Sequence, residues 1–326
     1  MYIRSLATYV PPRLLTNNDL EKLVDTTDEW ILQRTGIRER HIVDPGVATS
    51  DLAKEAALKA IERAGLTPAD IGLIVVGTVT PDMMFPSTAC LVQHKIGAHN
   101  AWGFDVSAAC SAFTYALTAA SQIVSAGCHE HALVIGADVM SSIIDYTDRS
   151  TCVLFGDGAG ACVVSAAAPG DGAILDFEHE IDGSGGPALC MPAGGSLRPS
   201  SHETVDQRLH YVKQEGATVF KFAVRKTEEI ARRILERNNV SAADLDLFVS
   251  HQANRRIIMS AAEKLGIDPA KVVINIERFG NTTAATIPLA LNDAVEDGRL
   301  KKGDLVLLCS VGAGFTVGSV LLRWGI

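Results

Sequence analysis

GFDVSAACSAFTYALTAASQIVSAG, residues 103–127, decides the fold. A short apolar run at 104–106 reads as a buried strand, and small residues carry it into Cys110. From there Phe113, Ala116, Leu117, Ala120, Ile123 and Val124 recur at the three-and-four spacing of a helix face. Gly127 supplies the stop signal. No charged residue stands between Ser107 and Cys128, and a helix without a charged face is buried on all sides. The spacing therefore predicts a helix at the centre of a large core. Cys110 sits where strand gives way to that helix. Free amides and the positive end of the helix dipole gather there, which favours a thiolate and a lowered thiol pKa. Two readings of Cys110 stay open on these residues: a nucleophile, or a buried structural thiol.

The same pattern is written twice. Thr49, Ser50 and Asp51 start a helix that runs to Ala64 and stops at Gly65. A turn with Pro68 and Asp70 leads from it into an apolar strand at 73–76. Farther on, a helix at 219–237 leads through a turn with Asp244 into a strand at 247–249. Aligning Asp70 with Asp244 sets Gly77 opposite His251. HALVIGADVM followed by GDGAGACVVSA in the first half resembles DLVLLCSVGAGFTVGSVLLRW in the second. Each half alternates strands with helices and ends in a glycine-rich hairpin, which predicts parallel sheets with crossover helices. The duplication predicts two α/β halves, 1–170 and 171–326, packed through their buried helices into a five-layered α-β-α-β-α core. Residues 182–216 have no counterpart in the first half. Rich in Gly, Pro and Ser, they read as an inserted functional or mobile loop.

The totals exclude several classes. A chain of 326 residues holds two domain-sized halves. A net charge of −9 argues against general binding to nucleic acid or a membrane surface. MYIRSLATYV lacks the apolar stretch of a signal peptide, and no run approaches a membrane span. Seven cysteines, an odd number without paired spacing, read as free thiols in a reducing cytoplasm. With no Cys-x-x-Cys and no His-x-x-x-His, no metal site is expected.

Two further stretches carry chemistry. SHQANRRII sets His251 just after the second-half strand, where α/β ligand sites gather. RFGNTTAATIPLAL sets Asn281 in a turn before a small-residue helix, a position that mirrors Cys110. Symmetry lets the three converge, with Cys110 as nucleophile and His251 and Asn281 as hydrogen-bond donors to a developing oxyanion. GAGF, residues 312–315, permits close backbone approach and one more amide donor.

Through DEWILQRTGIRER, FPSTAC, AACSAF, FGDGAGA, HQAN and GNT, the chain resembles the β-ketoacyl-[acyl-carrier-protein] synthase III family of the thiolase-like superfamily, from end to end. The resemblance implies a ping-pong acyltransferase that condenses a short acyl-CoA, acetyl-CoA first, with malonyl-ACP. The products are 3-oxoacyl-ACP and CO2, and the reaction initiates fatty-acid synthesis. The family's nucleophile falls on Cys110, its histidine on His251 and its asparagine on Asn281. The oxyanion amides fall on Cys110 and Ala313. Coenzyme A contacts fall on Trp30, Arg34, Arg149 and Asn254, with Trp30 stacking on adenine. Phe85 falls on the residue that crosses a homodimer interface to close the partner's acyl pocket. Lys221, Arg256 and Lys264 fall on carrier-docking positions. The resemblance calls for no cofactor beyond the coenzyme A thioester substrate, and for a cytoplasmic enzyme.

Four residues depart from the family's usual pattern: Ala112, Val311, Ala313 and Arg255. Ala112 in place of glycine is expected to tighten the pocket slightly. Other readings remain. A specialised synthase-III-like enzyme would prime with another acyl group or transfer acyl to oxygen or nitrogen. A Cys-His-Asn hydrolase would need its histidine beside the sulfur as a base. A catalytically dead binding protein would have no need of all three polar groups.

Overall fold

Asp70 and Asp244 close the same turn in two places. Asp70 Oδ2 accepts the Thr67 N–H at 2.7 Å, and Asp244 Oδ2 accepts the Ser241 N–H at 2.8 Å. Each turn feeds a fully buried strand. The computed structural model describes residues 1–168 and 170–326.

Strands β1 (Tyr2–Tyr9), β2 (Leu73–Gly77), β3 (Trp102–Val106), β4 (His131–Asp138) and β5 (Gly158–Ser165) form one sheet in the order β1-β5-β4-β2-β3. Its β4-β2-β3 part is parallel, while β1 and β5 pair antiparallel. Strands β6 (Ala173–Ile181), β7 (Leu247–Ser250), β8 (Leu305–Gly312) and β9 (Thr316–Arg323) form the second sheet in the order β7-β8-β9-β6. There β7 and β8 are parallel and the other pairs antiparallel. The second half has no strand matching β3. A single bridge between Phe248 and Val272 stands in its place.

The longer helices are α1 (Asp28–Thr35), α2 (Thr49–Arg63), α3 (Thr88–Ile96), α4 (Ala112–Ser125), α5 (Gly216–Arg237), α6 (Arg255–Leu265) and α7 (Thr286–Glu296). Helices α4 and α7 lie between the sheets. Phe113, Ala116 and Leu117 from α4 and Ile287, Ala290 and Leu291 from α7 pack with Val75 and Val134 on one side and Val249 and Leu308 on the other. Helices α2 and α3 cover the outer face of the first sheet, and α5 and α6 cover that of the second. These are the five layers the repeat predicts. A fully buried side chain such as Phe113 contributes about 1.5–3 kcal/mol by leaving water.

Three expectations need adjustment. Helix α4 is not buried all round, because Gln122 and Ser125 in its last turn reach solvent. Strand β3 is only half-buried, since it forms the open edge of its sheet. Helix α5 begins at Gly216, three residues before the apolar pattern starts. The inserted loop is folded: a turn at Gly183–Ala188, a short helix at His202–Asp206, and a two-residue ladder pairing Leu189–Cys190 with Lys213–Gln214.

Candidate active site

Cys110 occupies a one-turn 3-10 corner, Ala109–Ser111, that opens directly into α4. Ala109 enters it at φ 47°, a left-handed conformation that side chains rarely adopt. Gly312 at the end of β8 faces the corner. A Cβ built there would stand 2.7 Å from the Cys110 nitrogen, so only glycine lets β8 approach this closely.

Two cavities meet at Cys110. The first, of about 180 Å³, opens past His251, Asn281, Asn254, Phe220 and Val311. The second, of about 140 Å³, is lined mainly by apolar side chains, among them Val79, Met140, Ile143, Met191 and Val212. Cys110, Phe155 and Leu189 border both. Ala313 borders the second. The inserted loop thus supplies Leu189, Cys190, Met191 and Val212 to the apolar cavity, a contribution the loop's composition alone does not reveal.

The electrostatics correct one expectation. Burial pushes the Cys110 thiol up to about 12, and the charge of Asp138 adds to the rise. The corner's own amide and the Asn281 side chain pull the other way and are outweighed. Desolvation therefore defeats the helix terminus in the resting protein. Burial likewise lowers His251 to about 3, so its ring is neutral. His251 Nδ1 lies against the Thr286 hydroxyl at the start of α7, and Asn281 Oδ1 accepts the Thr283 N–H at 2.9 Å. Asn281 is itself stitched to the first half: its N–H donates to the Leu154 carbonyl at 2.9 Å, and its carbonyl accepts from Gly156 N–H at 3.1 Å.

His251 falls opposite Gly77, as the alignment predicts. Asn281 does not mirror Cys110. On the same alignment the mirror of Cys110 is Ala284, in the 3-10 corner Thr283–Ala285, and Asn281 precedes that corner. Ala112 does not narrow either cavity. Its methyl is buried against Gly77, where a Cβ on Gly77 would lie 2.8 Å from it.

The other expected residues fall into three groups. Trp30 and Arg149 meet: the guanidinium lies 4.3 Å from the indole centroid and donates to the Asp25 carbonyl at 2.8 Å. Asn254 Nδ2 donates to the Arg34 carbonyl at 2.9 Å, while Asn254 Oδ1 caps α6 through the Arg256 N–H. That pair ties α1 to the rim of the first cavity. Lys221, Arg256 and Lys264 are exposed, and Arg256 lies 5.3 Å above the ring of Phe220 at the cavity mouth. The rest of α5's basic face is committed. Arg225, Lys226, Arg232, Arg233 and Arg237 pair with Glu229, Glu180, Glu228, Glu178 and Asp176. Phe85 is 84 % exposed and lines neither cavity of its own chain.

Sequence reading missed Thr286 and Asp138. The second left a signal, an acid closing the apolar run ALVIGAD, where a carboxylate has to be buried. Among the described residues no cluster of histidine, cysteine or acidic side chains could hold a metal ion, and no helix is long and apolar enough to cross a membrane.

Two related halves layered α-β-α-β-α, with a cysteine at the corner before one central helix, define a thiolase-like enzyme. Residues 104–183 match the family model described as 3-oxoacyl-[acyl-carrier-protein (ACP)] synthase III, and residues 235–324 match its C-terminal part. The chain is 61 % identical over 324 residues to the beta-ketoacyl-[acyl-carrier-protein] synthase III of Solibacter usitatus, covering 99 % of this chain and 98 % of that one. It is 58 % identical over 323 residues to the Koribacter versatilis protein of the same name, at 99 % and 97 % coverage. The crystal structure of 3-oxoacyl-[acyl-carrier-protein] synthase III from Aquifex aeolicus superposes with a TM-score of 0.91, at 44 % identity and 99 % coverage of both chains. The chain belongs to the 3-oxoacyl-[acyl-carrier-protein] synthase III family.

Proposed function

We propose that the chain condenses a short acyl-CoA with malonyl-ACP, with Cys110 as nucleophile and His251 and Asn281 as oxyanion donors. One observation carries the reading: an almost wholly apolar cavity and a second one lined by His251 and Asn281 meet at a single sulfur. The Cys110 sulfur attacks the acyl-CoA carbonyl; the bond to the coenzyme A sulfur breaks, and the thiol proton leaves with coenzyme A. The acyl chain then lies in the apolar cavity, which has room for about four or five water-sized groups. That suits acetyl and its near homologues. The amides of Cys110 and Ala313 hold the oxyanion.

Malonyl-ACP enters by the cavity that holds His251 and Asn281. Its carbon–carboxylate bond breaks, CO2 leaves, and the electron pair becomes an enolate whose oxygen accepts from His251 and Asn281. The enolate carbon attacks the thioester, and the departing Cys110 thiolate takes up a proton from solvent, which restores the thiol. A neutral histidine and an amide can donate to the enolate oxygen without protonating its carbon. A hydrolase would need His251 as a base on sulfur. Its pKa of about 3 and the occupation of Nδ1 by Thr286 argue against that role.

Coenzyme A is assigned to Trp30, Arg34, Arg149 and Asn254, and the acidic carrier protein to Lys221, Arg256 and Lys264, which have no carboxylate partner among the described residues. A homodimer fits the open edge of β3. Asp105 on that strand accepts the Thr88 and Ala89 amides at 2.7 and 2.8 Å, which holds the apolar tip Met83, Met84 and Phe85 nearby. Exposed strand edges are otherwise a liability. A domain boundary near residue 170 fits the separation of β1–β5 from β6–β9. Free Cys90 and Cys128 on the surface fit a reducing cytoplasm.

The test separates the half-reactions. His251→Ala and Asn281→Ala should still form acetyl-enzyme but lose malonyl decarboxylation about 10²–10³-fold each. Failure of acyl loading with normal decarboxylation would reverse the roles.

A further inference from the structure

Counting on from Asp70 and Asp244, one spacing pairs Ala109 with Thr283, Cys110 with Ala284 and Asp138 with Gly312. The two corners are the same structure. Both are 3-10 turns that open into a central helix, entered at φ 47° by Ala109 and φ 52° by Thr283. They differ in what faces the central amide. At Cys110 it is Gly312, which leaves no room for a side chain. At Ala284 it is Asp138, whose Oδ2 accepts the Ala284 N–H at 3.1 Å. The second corner is thus an amide site like the first, filled by a carboxyl group of the protein's own.

Asp138 is fully buried and has no cationic partner among the described residues. Its Oδ1 accepts from the Thr78 hydroxyl, the Val79 N–H and both the N–H and hydroxyl of Thr80, at 2.8 to 3.2 Å. These bonds fix the carboxylate to the first half, and Oδ2 alone reaches the second. What it holds there is the turn on which the donors depend. Thr283, a β-branched residue in a left-handed conformation, is strained. Its N–H fixes Asn281 Oδ1, which leaves the amide nitrogen to face the cavity. Its carbonyl lies 3.1 Å from the Thr286 hydroxyl, which contacts His251 Nδ1 on its other side.

We propose that Asp138 is a positioning residue for condensation: its carboxylate fills the second corner and locks the Thr283–Thr286 turn that orients Asn281 and His251. The inference rests on the roles given above to those two residues. Acyl loading, which uses the other corner, does not depend on this lock.

Asp138→Asn tests it. An asparagine can keep its carbonyl on the four donors of the first half, and then turns an N–H group toward the Ala284 N–H. Only the bond across to the second corner is lost. Decarboxylation of malonyl-ACP on the acetyl-enzyme should fall about 30-fold in kcat, with KM within about twofold. Acetyl loading of Cys110 should not fall, and should rise as the charge that opposes the thiolate is lost. Adding Thr283→Gly, which adopts a positive φ without strain, should restore much of the lost kcat. Equal loss in both half-reactions, or no loss in either, would overturn the assignment. If Asp138→Asn does not fold, Asp138→Ser, which also withdraws the acceptor from the Ala284 N–H, is read instead against the same selective loss. Failure of both to fold would make Asp138 purely structural. If instead Asn281→Ala and His251→Ala decarboxylated normally, the roles beneath this inference would fail, which is a distinguishable result.

Discussion

His251 Nδ1 lies 2.6 Å from the Thr286 hydroxyl oxygen, and the contact joins the end of β7 to the first residue of α7. The hydroxyl has one proton and two acceptors in reach, His251 Nδ1 and the Thr283 carbonyl at 3.1 Å. A neutral imidazole donates from one nitrogen and accepts at the other. For Nε2 to donate to an enolate, Nδ1 must accept from Thr286.

Thr286→Val should therefore lower condensation about tenfold, the cost of one buried partner lost. Acetyl loading should stay within about twofold. Measuring the two half-reactions separately decides it, since equal losses would reduce Thr286 to a packing residue.

Holding the Cys110 thiol near 12 has a kinetic signature. Far below its pKa the thiolate fraction grows about tenfold per pH unit. Loading at limiting acetyl-CoA should rise with a slope of about one in log rate between pH 7 and 9. Below about pH 6 the fall should soften. Asp138, raised to about 6 by burial, becomes neutral there and ceases to oppose the thiolate. A plateau that begins below pH 8 would show that the thiol is not held high during loading.

Phe85 stands exposed on the chain it belongs to. If it closes the partner's apolar cavity, Phe85→Thr should raise the rate with isobutyryl-CoA relative to acetyl-CoA by about tenfold, the usual worth of a methylene or two in a pocket. Sedimentation should give a dimer. A monomer of full activity, or an unchanged rate ratio, would remove Phe85 from the pocket.

Much of this was legible in the chain. The uncharged run after Cys110, the paired Asp70 and Asp244 turns and the two glycine-rich hairpins led to five layers, because burial and turn chemistry are local signals. The proposed trio Cys110, His251 and Asn281 stands out in the sequence by its places at element ends, and the fold brings all three to one cavity. The thiol's pKa does not stand out, since helix-terminus and desolvation effects have opposite signs and only burial in three dimensions decides between them. The pairing of Asn281 with Cys110 fails for a similar reason. A corner is defined by φ, and GNTT does not disclose which residue turns left-handed. The partners of Lys226, Arg233 and Arg237 on α5 are not legible in the sequence, because β6 brings Glu180, Glu178 and Asp176 to them across the fold.

The central claim, that one sulfur carries the acyl group, is tested most directly by intact-protein mass spectrometry after exposure to acetyl-CoA, followed by peptide mapping. One acetyl mass should appear, on the peptide that contains Cys110, and should be absent from Cys110→Ala. Acetylation that persists in that variant, at any of the six other cysteines, would contradict the account.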